Sequence, residues 1–125
     1  RNPYRIGFDE RRRYLYWGDV GPDAGQASVE NPTSYDEFNQ AKKPGYFGWP
    51  YFIGANYAYS DFDFTAQIHG PKQNVAAPEN NSPNNVGKKI LPPAQPAFIW
   101  YPYTHSEDFP TLGTGGRSAI GGLTY

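Results

Sequence analysis

The chain has 125 residues, enough for one ordinary domain, and carries 11 Lys+Arg against 12 Asp+Glu for a formal net charge of -1. That balance gives no electrostatic basis for capturing nucleic acid. No apolar run approaches the ~20 residues of a membrane span, no stretch reads as a signal peptide, and the lack of cysteine excludes disulfides, thiol catalysis, zinc–thiolate sites and CxxCH haem attachment.

Gly and Pro make up about a fifth of the chain, roughly double ordinary usage. Both oppose helix interiors, so the expected elements are short strands and ordered loops. There is no Met, and the sequence opens on Arg1-Asn2-Pro3; we read it as an internal piece of a longer polypeptide, or a mature product trimmed from one.

Residues 4–20 read as a β-hairpin. Tyr4, Ile6 and Phe8 alternate with Arg5 and Gly7, the period-two signature of a half-buried strand. Asp9 to Arg13 is a polar connection, and the Arg11–Arg13 run reads as its solvated turn. Tyr14 to Trp17 resumes an aromatic strand. Residues 18–25, half of them Gly or Pro, leave the strand as ordered loop. Residues 26–34 are small and polar and form a surface insertion.

Tyr35-Asp36-Glu37-Phe38-Asn39 reads as a second strand, and Lys42-Lys43-Pro44-Gly45 as a turn. Tyr46 to Phe52 is dense in aromatics, but its Gly and Pro disfavour a central strand, which predicts a packed loop closing a sheet. Residues 70–96 form one long excursion, longer than compact domains usually carry. Within it Asn80-Asn81-Ser82 is a formal glycosylation sequon. Ala97 to Tyr101 is the next strand, residues 110–118 a Gly-rich turn, and Ser118 to Tyr125 begins a strand that ends without its partner.

Aromatics are 18% of the chain while hydrophobic residues total 38%, so aromatic rings must fill most of the core. Disordered chains are aromatic-poor. Short strands with aromatic and Gly punctuation fit a propeller or a sandwich. A propeller blade takes ~40–50 residues, so the expected fold is all-β, about two blades of a propeller with long ordered loops.

Few residues carry chemistry. Asp36 and Glu37 are strand neighbours and face opposite sides, a poor arrangement for a two-carboxylate glycosidase. Calcium takes six to eight oxygens from carboxylates and carbonyls together; Gly21, Pro22, Asp36, Glu37 and a carbonyl near Phe47 are the candidate donors, against a plain surface Asp-Glu pair. His69 and His105 sit in no nucleophile motif, although Glu107 or Asp108 could orient His105. Ser118 lacks the Gly-x-Ser-x-Gly elbow, and Gly113 to Gly116 lacks the Lys-Ser/Thr of a phosphate loop.

Three segments carry a resemblance: Arg1-Asn2-Pro3-Tyr4-Arg5-Ile6-Gly7-Phe8-Asp9, then Leu15-Tyr16-Trp17-Gly18-Asp19-Val20-Gly21-Pro22, then Asp36-Glu37-Phe38-Asn39 followed by Gly48-Trp49-Pro50. In this order they resemble the glucose/sorbosone dehydrogenase family, the pyrroloquinoline quinone (PQQ) dependent sugar dehydrogenases, and most closely a branch of large secreted bacterial proteins. Residues 97–125 fit that branch more loosely. The resemblance implies a six-bladed β-propeller and an extracytoplasmic location. It implies that Arg1 and Asn2 contact the quinone, a guanidinium fork suiting a carboxylate-bearing ring. It implies that Gly21 and Pro22 offer carbonyls to the calcium that polarises the quinone, and that Asp36, Glu37 and the Phe47 carbonyl mark a second, structural calcium region.

The implied activity is oxidation of a sugar hydroxyl by hydride transfer to the quinone. The family's histidine base lies upstream of Arg-Asn-Pro, so the chain holds no catalytic residue of its own. The sequence departs from the family at Val20, where a polar side chain usually precedes Gly-Pro, and in the insertion at 26–34. Two other readings stand beside this one. They are a non-catalytic propeller module that binds carbohydrate or a protein partner, and a structural subunit whose unpaired strands meet the rest of the propeller or neighbouring chains.

Overall fold

The computed structural model describes residues 3–124. The fold is all-β with antiparallel ladders throughout. One four-stranded sheet runs in the order β1 (Ile6–Asp9), β2 (Tyr14–Asp19), β3 (Asp36–Ala41), β8 (Ile99–Tyr101). Two hairpins interrupt it between β3 and β8. One joins β4 (Phe52–Ile53) to β5 (Tyr57–Ala58), the other β6 (Ser60–Asp63) to β7 (Ile68–Lys72). The strand count expected of two blades is therefore distributed differently. Among the described residues there is a single four-stranded meander, because residues 42–98 fold as an insertion between its third and fourth strands.

The β1–β2 hairpin forms where expected. Asp9 shapes its loop: the carboxylate accepts the Arg12 amide at 2.9 Å, and the Asp9 carbonyl accepts the Arg13 amide at 2.7 Å. The inward face, however, is reversed. Gly7 and Asp9 are the buried residues of β1, while Ile6 and Phe8 are 60% and 46% exposed. The cause is the chain after β8. A Cβ on Gly7 would lie 2.4 Å from the Gly122 carbonyl oxygen, and one on Gly18 2.4 Å from that of Ala119. Glycine lets the 117–124 segment lie directly on the backbone of β1 and β2, and no bulkier residue would leave that room.

Residues 118–124 make no ladder. The strand expected there is an extended strap instead, held by Asp36, which accepts the Ala119 amide at 2.7 Å, and by Thr124, which donates to the Phe8 carbonyl at 2.8 Å.

The aromatic segment is loop up to Tyr51, as expected, but it is packed only in part: Tyr46, Phe47 and Tyr51 are half-buried and Trp49 is 59% exposed, after which Phe52–Ile53 enters the buried core as β4. The long excursion is ordered by side-chain amides rather than by regular structure. Asn85 donates to the Asn80 and Lys88 carbonyls, and Gln73 bridges Asp61 and Glu79. Its first residues belong to β7. No helix among the described residues is long and apolar enough to cross a membrane.

Candidate functional site

Strand alternation divides the four-stranded sheet into two chemically distinct faces. Register pairs Trp17 with Asn39, Asp19 with Glu37, and Glu37 with Trp100, so these residues share one face. Gly7, Gly18, Asp36 and Phe38 share the other, which the strap covers.

The first face bears a buried polar cluster. Asp19, Glu37 and Asn39 are 2%, 1% and 0% exposed. The Asn39 side-chain amide donates to Asp19 Oδ2 at 3.1 Å and to Glu37 Oε1 at 2.9 Å. Trp17 Nε1 donates to Asp19 Oδ2 at 3.0 Å, and the Gly54 amide donates to Glu37 Oε2 at 2.8 Å. Asn39 Oδ1 is buried with no hydrogen-bond partner, a costly state for an amide oxygen.

This cluster opens onto a cavity of about 630 Å³ whose lining includes Asp19, Val20, Gly21, Pro22, Glu37 and Trp49. Phe52, Ile53 and Tyr59 contribute to the same lining. A smaller adjoining hollow is lined by Trp17, Phe47 and Tyr46, and shares Asp19 and Trp49 with the first. The Phe47 ring stands edge-on to Trp17 at 4.9 Å. Tyr35, also on the cavity, stacks on Tyr57 at 5.2 Å. Burial pushes the Tyr35 phenol above its ordinary value, with Tyr57 and Asp108 adding to the effect, so it stays a neutral donor at physiological pH.

Of the residues singled out from the sequence, Gly21, Pro22 and Glu37 therefore meet on one cavity, and Phe47 lies on the adjoining hollow. Gly21 is fixed there by close approach: a Cβ would sit 2.1 Å from the Tyr35 carbonyl oxygen. The Pro22 carbonyl accepts the Ala24 amide at 2.9 Å, which leaves one lone pair for a further partner. Asp36 faces away. Its two oxygens accept the Gly21 amide at 3.1 Å and the Ala119 amide at 2.7 Å. Arg1 and Asn2 lie outside the described residues. His69 packs against the Phe62 ring, His105 is exposed, and neither lines the cavity.

Sequence reading missed Asp19, Asn39 and Trp49 as site residues. A hairpin register placing Asp19 opposite Glu37 would have found the first, and two-residue spacing from Glu37 the second. Among the described residues, no three His, Cys, Asp or Glu side chains are grouped so as to hold a metal ion. An ion here would rely on carbonyl and amide oxygens beside the two carboxylates, a hard all-oxygen set that suits calcium. No family model, no curated protein and no solved structure matches the chain.

Proposed function

We propose that the chain is part of a PQQ-dependent sugar dehydrogenase-like domain. In this reading it supplies one blade of a six-bladed β-propeller with a long insertion, and the remaining blades come from a longer parent chain or neighbouring chains. The observation that carries the reading is the convergence of Gly21, Pro22 and Glu37 on one cavity, although 14 residues separate Pro22 from Glu37 in the sequence.

Two further features support it. A four-stranded antiparallel meander is the unit from which propellers are built. The outer part of the cavity-bearing face leaves Ile6, Phe8 and Trp49 substantially exposed, an apolar margin of the kind that a neighbouring blade covers.

Gly21 and Pro22 would hold calcium through backbone carbonyls, with Glu37 and the Phe47 carbonyl at the second calcium region. Arg1 and Asn2 would contact the quinone. When bound, calcium and PQQ supply the hydride acceptor for a sugar hydroxyl. The residues of this chain bind and orient, Trp49 offers a flat apolar face to a ring, and the base comes from elsewhere in the propeller. Asp36 takes no part as a ligand in this reading, because it lies on the opposite face of the sheet, under the strap, and not on the cavity. An extracytoplasmic location belongs to the same proposal.

Mass spectrometry of small molecules released from the denatured native protein tests it. Near-stoichiometric quinone is the expected result. Absence of quinone after attempted reconstitution with calcium would overturn the redox role. A second reading, a non-catalytic module that binds carbohydrate or a protein partner, is favoured by Val20. That side chain is apolar, 48% exposed and on the cavity wall where the family places a polar group.

A further inference from the structure

We infer that Arg117 is a positioning residue that sets the Gly21–Pro22 wall of the cavity from the opposite face of the sheet, through Asp36 and through Asp23 next to that wall. Its side chain is 4% exposed. One terminal nitrogen donates to the Tyr101 carbonyl and, at 3.2 Å, to the Ser34 carbonyl; the other donates to Ser34 Oγ at 3.3 Å. The guanidinium lies 3.6 Å over the Tyr103 ring, and Nε stands 3.9 Å from Asp36 Oδ1.

Two arms run from this hub, one to the cavity wall at Gly21 and one to Asp23, the residue after Pro22. Through the first, Asp36 Oδ1 accepts the Gly21 amide at 3.1 Å. Through the second, the Tyr103 hydroxyl donates to Asp23 Oδ1 at 2.8 Å. One planar cation thus orients a carboxylate and a phenol, and each of these holds one end of the same short loop. A lysine could supply the charge but not the fork or the stacking plane. Asp36 also accepts the Ala119 amide, so the strap is tied to the same carboxylate and its attachment is coupled to the shape of the wall.

The consequence for calcium rests on the reading of Gly21 and Pro22 as a cation-binding wall; the mechanical coupling does not. Amide hydrogen exchange on the whole chain separates the two. Arg117→Lys should raise exchange at Gly21 and at Ala24, whose amides are held by Asp36 and by the Pro22 carbonyl, by about tenfold or more, the effect of losing hydrogen bonds to a charged group. Exchange across the β1–β2 ladder should hold. Tyr103→Leu, a milder change that keeps Arg117, should raise exchange at Ala24, whose amide is bonded to the Pro22 carbonyl beside Asp23, more than at Gly21, and it decides the matter if the lysine variant fails to fold. Increased exchange confined to Ala119, or a uniform rise across the sheet, would overturn the inference. Calcium alone is the second probe: Arg117→Lys should weaken its stabilising effect by a similar factor. If calcium leaves the unsubstituted protein unchanged, the metal reading fails, and the exchange pattern still decides the role of Arg117.

Discussion

Asp19 and Glu37 stand opposite one another across the β2–β3 ladder and share a single donor group, the side-chain amide of Asn39. Two almost fully buried carboxylates held this close repel one another unless their oxygens are well supplied with donors. Asn39 supplies one bond to each, with Trp17 and Gly54 adding one apiece. Asn39→Ala should cost about 2–3 kcal/mol, since buried acceptors lose their partner. Urea unfolding would show a lower midpoint at unchanged slope. An unshifted midpoint would mean that the amide is dispensable to the pair.

Glu37 accepts two amide donors, through different oxygens. In Glu37→Gln the new NH2 must face one of them. Stability in chelator should fall by about 1–2 kcal/mol, the cost of one unsatisfied buried donor. Whatever increment calcium adds to the unsubstituted protein should disappear in the variant. Thermal melts in calcium and in chelator measure both effects. An undiminished calcium increment would remove Glu37 from the proposed calcium site.

Glycine replacements should separate cleanly by location. In Gly18→Ala the new Cβ meets the Ala119 carbonyl oxygen at 2.4 Å, backbone against backbone. The strap must lift, costing about 1–3 kcal/mol, and Ala119 amide exchange should rise with it. In Gly25→Ala nothing lies within 4 Å, so the unfolded chain alone is affected and stability should hold or gain by about 0.4–1 kcal/mol. Equal effects in the two variants would contradict the close packing of the strap.

Acid should loosen the β1–β2 hairpin at its loop. The Arg12 backbone amide, then the Arg12 side chain, holds the Asp9 carboxyl below its ordinary 3.8. A depressed folded-state value stabilises the fold above the unfolded value and is lost as pH falls through the lower folded one. Asp9→Asn keeps an acceptor for the Arg12 amide but does not titrate there. Its stability should decline less between about pH 4 and pH 2. An identical acid limb in the variant would show that Asp9 contributes nothing to it.

The hairpins and loops near the chain start were legible because their signals are local. Alternation, the polar Asp9–Arg13 connection and the Gly-Pro loop each act within a few residues. The direction in which β1 faces was not legible. Ile6 and Phe8 outweigh Gly7 in apolar area, yet Gly7 is buried because the 117–124 segment needs a surface without side chains, a contact between the two ends of the sequence. The β4–β5 and β6–β7 hairpins were hidden by short strands and by aromatics that read as loop filling. Gly21, Pro22 and Glu37 could be singled out from the sequence, but their meeting on one cavity could not, since it depends on the β2–β3 register. Arg117 carried little signal: Gly115-Gly116-Arg117 fits the resemblance only loosely, and nothing local in the sequence places Asp36 and Tyr103 beside it.

The most direct measurement is a titration of the intact protein with PQQ, in calcium and in chelator, followed through quenching of Trp49 fluorescence against a Trp49→Phe control. A saturable quench in calcium that vanishes in chelator and in the control is the expected result. No quench under either condition, from protein that gives a cooperative melt, would contradict a quinone site beside the Gly21–Pro22 loop.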